Sequence, residues 1–220
     1  METCELKNKI PEVLAYARMV TKRNGHTRKY AKHIVALVVK QIMHFTDVQL
    51  TEFLSSNEIG RFLGYKRRFN HTIFSKVRKT AAKIVKELYE FFVYRKMKGK
   101  TIRLTTMDST DIQAFSSNDK DAKYGHRTPS KREQRTLKDN AKTLFFGYKL
   151  HVIADAETEI PIAVEIAPAN RHDKTFFHRL YRIAKETFHV HLIPNAKFLA
   201  DAGYDSTDIY QELHYDNVKP

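Results

Sequence analysis

Two short apolar strands that each run into an aspartate constrain this 220-residue chain more than any other feature. The first is Thr101–Thr110, TIRLTTMDST; the second is Lys197–Ser206, KFLADAGYDS. Thr and Ile favour the pleated conformation, and a strand period of two would put Ile102, Leu104 and Thr106 on one face. The polarity then turns abruptly to Asp108, Ser109, Thr110 and Asp111. In the second stretch Phe198, Leu199 and Ala200 run into Asp201, and Gly203 breaks the strand. An aspartate closing a strand is anchored by the sheet while its carboxylate reaches a cleft. Two of them are what a divalent-metal site in an α/β domain needs, so Asp108 and Asp201 are the candidate metal-binding and catalytic residues.

The texture changes near Gly99. Before it the chain reads as helical and basic, a region spanning 1–100. Pro11, Val13, Leu14, Ala17 and Val20 have helical spacing, and Asn24-Gly25 stops that segment. Tyr30–Phe45 predicts a helix with Ile34, Leu37, Val38, Ile42 and Phe45 on one face. Thr51 is the expected cap of the next helix, which Gly64-Tyr65 ends, and Thr72 that of a long one carrying Ile73, Val77, Ile84, Leu88 and Phe91. The order of short helix, glycine turn, basic cluster Lys66-Arg67-Arg68 and second helix resembles a helix-turn-helix.

From Thr101 onward, region 101–220, short strands take over. Residues 116–142 lack apolar periodicity and read as a long loop rich in cations, among them Lys131, Arg132, Arg135 and Lys138. Asp111, Asp119 and Asp121 are read as serving that loop's folding. Leu144–Ala154 and Glu159–Ala167 read as a hairpin. Asp173 is the expected cap of a helix through Phe177 and Leu180. Ala196–Asp201 forms the next strand, and a further helix starts at Asp205 or Ser206. Three strands in an antiparallel meander, then a helix and a parallel strand, give an α/β (α+β) class: a helical N-terminal region followed by the opening order of an RNase H-like mixed sheet.

Charge narrows the partners. The formal net charge is +14, which favours a polyanion, and nucleic acid is the first candidate. The single cysteine, Cys4, excludes an internal disulfide and fits a reducing cytoplasm. No apolar run is long enough to span a bilayer. One cysteine, and no His-Glu-x-x-His, argue against zinc despite 11 histidines. His189 and His191 are read as surface residues. Phosphate-contact candidates are Lys66, Arg67, Arg68, Lys131, Arg132, Arg135, Arg171 and Lys174, each weighed against a plain solvated cation.

The motifs MDST, DAKYGH, FFGYKLHVIAD, PIAVEIAPANRHDKTFF and FLADAGYDS, in that order, resemble the DDE transposases of insertion sequences, of the IS-four type. The likeness covers residues 101–217; FLGYKRRFNHTIFSKVRK resembles, more loosely, the helical region that precedes the catalytic core in that family. The resemblance implies three acidic residues that hold magnesium or manganese, two ions in a complete site, and cut and join DNA at transposon ends. Asp108 matches the first and Asp201 the second. The third, a glutamate on a helix after the fifth strand, has no counterpart, because Glu212 follows Asp201 too closely. The expectation is therefore a prokaryotic, nucleoid-associated transposase in a truncated or partial form. Its partners would be double-stranded DNA and a homo-oligomer or full-length copy. The alternatives are a transposon-end DNA-binding inhibitor without catalysis and a stand-alone RNase H-like nuclease.

Overall fold

The computed structural model describes residues 3–26, 28–67, 69–127, 143–187 and 191–220. It contains two compact units, Met1–Phe92 and Val93–Pro220. Arg68 and the stretch carrying Lys131, Arg132, Arg135 and Lys138 lie outside the described residues, as do His189 and the side chain of His191.

The first unit is helical: α1 (Thr3–Arg23), α2 (Arg28–Ile42), α3 (Asp47–Ser56), α4 (Glu58–Phe62) and most of α5 (Thr72–Met97). Helix α1 begins well before Pro11, which sits inside it. The reason is a continuous stripe, Leu6, Ile10, Leu14, Ala17 and Val20, whose burial outweighs the hydrogen bond a proline removes. Helix α2 buries Ala31, Ile34, Val35, Ala36 and Val39, which is more than one face, so it is the central helix of the unit. The cap of α3 is Thr46, not Thr51. Thr46 and Gln49 form a capping box, whereas the Thr51 hydroxyl donates to the Asp47 carbonyl within the helix. Asn70 accepts from the Thr72 backbone N–H and so opens α5.

The second unit carries a five-stranded mixed sheet: β1 (Thr101–Gln113), β2 (Lys123–Arg127), β3 (Thr143–Asp155), β4 (Ile160–Pro168) and β5 (His191–Ala200). Helix α6 (Phe177–Thr187) and helix α7 (Thr207–Tyr215) complete it. Strand β3 pairs antiparallel with β1 on one edge and with β4 and β2 on the other; β1 pairs parallel with β5. The order β4-β3-β1-β5 is the one expected for the meander and crossover.

Two features differ from the sequence expectation. Strand β2 lies within the stretch read as loop; its KYGHR carries a glycine and no apolar alternation, and β3 supplies its pairing. Gly125 fits there because a Cβ would come 2.5 Å from the Ala169 carbonyl oxygen. Strand β1 also runs on to Gln113, and its best-buried row at the centre is Thr105 and Met107 rather than Leu104 and Thr106. The ladder with β5 shifts register between Ile102 and Leu104, and the buried phase changes there, from Ile102 to Thr105 and Met107.

Phe198 of β5 meets both Phe177 and Tyr181 of α6 edge to face, fixing that helix on β5. Residues 217–219 add to the far edge of β5: Lys197 bridges Lys219 in parallel, and the Phe198 N–H donates to the Lys219 carbonyl at 2.7 Å.

Candidate active site at the ends of β1 and β5

The parallel ladder of β1 and β5 ends at Met107 opposite Ala200. The next residues are Asp108 and Asp201, so the two aspartates follow a matched pair on neighbouring strands. Asp108 is not at a strand end, because β1 continues past it along β3 with Asp108 opposite Val152. It stands instead where β1 loses β5 as a partner, which exposes its carboxylate. Asp108 Oδ1 accepts from the Ser109 N–H at 2.7 Å. Asp201 is exposed and caps the short 3-10 turn Ala202–Tyr204, its Oδ1 accepting from the Gly203 N–H at 3.0 Å.

A second set of polar groups gathers around these residues, and the sequence reading missed its importance. Asp173 was expected to cap a helix. Its carboxylate is instead spent on Lys149, whose Nζ donates to Oδ1 at 2.9 Å and Oδ2 at 3.1 Å. His151, fully buried, stacks on Phe176 with ring centroids 4.0 Å apart, and its Nδ1 lies 3.3 Å from the Tyr204 hydroxyl. Burial holds the His151 pKa below its ordinary value, outweighing the pull of Asp173. Tyr204 is buried, which raises its phenol pKa; the charges of Asp173, Asp201 and Asp108 push the same way, and the Ser109 hydroxyl pulls against them. The Tyr204 hydroxyl is thus a neutral dipole among three carboxylates.

Gly203 shows how close two of these come. A Cβ on it would lie 3.0 Å from Asp201 Oδ1 and 3.4 Å from Asp173 Oδ2. The signal for this set was present in the sequence as Lys149, His151 and Asp173, but only the sheet register brings them together. Asp111, read as a loop residue, sits on β1 opposite Lys149, and burial raises its pKa. Asp119 does serve its turn: it accepts from the Tyr148 hydroxyl at 2.8 Å and from the Asp121 and Ala122 N–H groups. Glu212 is turned to α6, where it meets His178 and Lys185.

The donor chemistry suits magnesium or manganese. Asp108 and Asp201 are exposed hard-oxygen donors, and such ions keep several waters and need few protein ligands. Among the described residues no group of three or more His, Cys, Asp or Glu side chains is arranged to hold a metal ion.

Of the cations expected to meet phosphate, Lys66 and Arg67 are exposed in the turn between α4 and α5. Arg171 and Lys174 are exposed in the segment leading from β4 to α6. Among the described residues no helix is long and apolar enough to cross a membrane.

No curated protein and no solved structure matches the chain. A family model does: residues 99–220 match the one described as "Transposase DDE domain".

Proposed function

Because this chain belongs to the DDE transposase family, we propose that Asp108 and Asp201 are its first two catalytic carboxylates, in a metal-dependent DNA strand-cleaving and strand-transfer site of the IS-four type. The observation that carries this reading is the β1–β5 register, Met107 opposite Ala200, with an exposed aspartate following each. Asp108 and Asp201 would hold the divalent cations. When bound, these neutralise charge on the phosphate oxygens during an in-line displacement. The chain's own contribution is placement. The sheet fixes both aspartates, the Gly203 N–H orients the Asp201 carboxylate, and the Lys149–Asp173 pair with Tyr204 keeps the floor rigid.

Glu212 is not assigned as the family's third carboxylate, because His178 and Lys185 of α6 engage it. The cations at Lys66, Arg67, Arg171 and Lys174 serve double-stranded DNA, whose phosphates dominate affinity.

A nicking assay on duplex DNA carrying terminal inverted repeats, with magnesium or manganese, tests the reading. Metal-dependent cleavage is expected, and it is expected to be lost in Asp108→Ala and in Asp201→Ala. Cleavage that survives both Asp108→Ala and Asp201→Ala would overturn the assignment.

A further inference from the structure

On the helical unit a pocket of about 420 Å³ opens between α1, α2 and the turn after α4. Leu14, Arg18, Lys29, Lys32, Leu63 and Gly64 line it, so three cations converge over an apolar floor. Leu14 and Leu63 are buried, whereas Arg18 and Lys29 are exposed. Among the described residues neither Arg18 nor Lys29 has a carboxylate partner. Lys29 and Lys32 lie in the first two turns of α2, whose first turn holds no acidic residue. The helix dipole therefore adds to their positive potential instead of being offset.

Lys32 is the telling residue. Its Nζ stands 4.5 Å over the Tyr65 ring and 3.5 Å from the Gly64 carbonyl oxygen. An aromatic face and one long carbonyl contact take the place of a counter-ion. Burial, and then the charge of Lys29, lower the Lys32 pKa. A group desolvated beside a like charge is stabilised by an arriving anion. Ordinary surface cations spread apart; Arg18, Lys29 and Lys32 line one pocket.

We propose that this pocket seats a phosphate group. Its volume leaves room for the sugars on either side, so a phosphodiester of nucleic acid fits as well as free phosphate. The inference rests on the proposed DNA binding only for the source of that phosphate. The pocket's lining shares no residue with Lys66 and Arg67 or with the candidate active site.

Two measurements on the full chain decide it. The first is a chemical-shift titration with inorganic phosphate against sodium chloride at matched ionic strength. Phosphate is expected to move the backbone signals of Lys29, Lys32 and Gly64 where chloride does not, and R18A/K29A is expected to abolish that response. Both positions are exposed, so the variant should keep the wild-type circular dichroism spectrum. Equal responses to the two salts would overturn the pocket, whatever DNA does.

The second is duplex DNA binding across a salt series. If DNA supplies the phosphate, the slope of log K against log salt in R18A/K29A becomes shallower by about 0.9, the share of one phosphate. A phosphate response with an unchanged slope would overturn DNA as the source and assign the pocket to free phosphate. Absence of DNA binding by the unaltered chain would sink the DNA-binding reading, while the phosphate titration would still decide the pocket.

Discussion

Met107 and Ala200 are partners across a parallel ladder, and the residue after each is an aspartate. Their backbones are fixed by the sheet, so cation binding at Asp108 and Asp201 should need no large rearrangement. Manganese should broaden amide signals around both residues. Asp108→Asn with Asp201→Asn should remove the broadening and leave the fold intact, since both side chains are exposed. Broadening unchanged in the double variant would show the cation elsewhere.

Gly203→Ala provides a finer probe. The added methyl would press on Asp201 Oδ1 at 3.0 Å and Asp173 Oδ2 at 3.4 Å. One of the two carboxylates must give by a few tenths of an ångström. Manganese affinity should fall while the melting temperature moves by only a few degrees. Unaltered affinity would mean that the Asp201 rotamer is free to swing.

The Lys149–Asp173 pair is largely shielded, with 16% side-chain exposure on each partner. Lys149→Ala would strand a carboxylate and is expected to cost about 3 kcal/mol. For a chain of this size that lowers the melting temperature by roughly 6–12 °C. Replacing both residues with apolar ones should recover most of the loss. A thermal melt of the single and double variants checks the order.

His33 sets a pH dependence in the helical unit. Its Nδ1 lies 2.6 Å from the Tyr65 hydroxyl, and burial, aided by Lys32, lowers its pKa from 6.5 to about 4. The folded state keeps this histidine neutral where the unfolded chain already binds a proton. Its stability contribution is therefore full above pH 6.5 and is lost as pH falls toward 4, by at most about 1.4 kcal/mol per unit. Burial of His151 adds the same sign. Urea titrations at pH 7 and pH 5 should differ, and His33→Gln should shrink the difference.

Binding to duplex DNA should weaken steeply with salt, given the +14 charge. If Arg67 touches one phosphate, Arg67→Ala should reduce the slope of log K against log salt by about 0.9. A flat response in the unaltered chain would exclude phosphate-driven binding.

Strands β1, β3, β4 and β5, the helical first half and the position of an aspartate after each of two neighbouring strand segments were legible because apolar runs and abrupt polarity changes are local signals. The Lys149–Asp173 pair was not. Its members are separated by a hairpin, and only the register of β3 sets Lys149 beside the start of α6. Asp173 followed by an apolar helix satisfies the pattern of a cap equally well, so sequence favoured the commoner use of that residue. Thr51 failed similarly: Thr46 competes for the same cap, and Gln49 three residues later settles it in favour of Thr46. Strand β2 escaped because its glycine serves a close approach to Ala169 that no neighbouring residue reveals.

The parallel pairing of β1 with β5 also imposes an order of events on the nascent chain. Helices α1 and α2 pack on each other and can form as soon as they emerge, whereas α5 reaches back to α1 through Tyr16–Phe91 and Arg23–Glu87. Strand β1 pairs early with β3, but its other edge stays open until β5 has been made, and a long intervening loop must then close. During that interval the row from Thr101 to Met107 offers unpaired backbone to any copy nearby. Dilution during refolding, or rapid synthesis through the β4–α6 region, should therefore raise the yield of monomeric protein without altering its final stability.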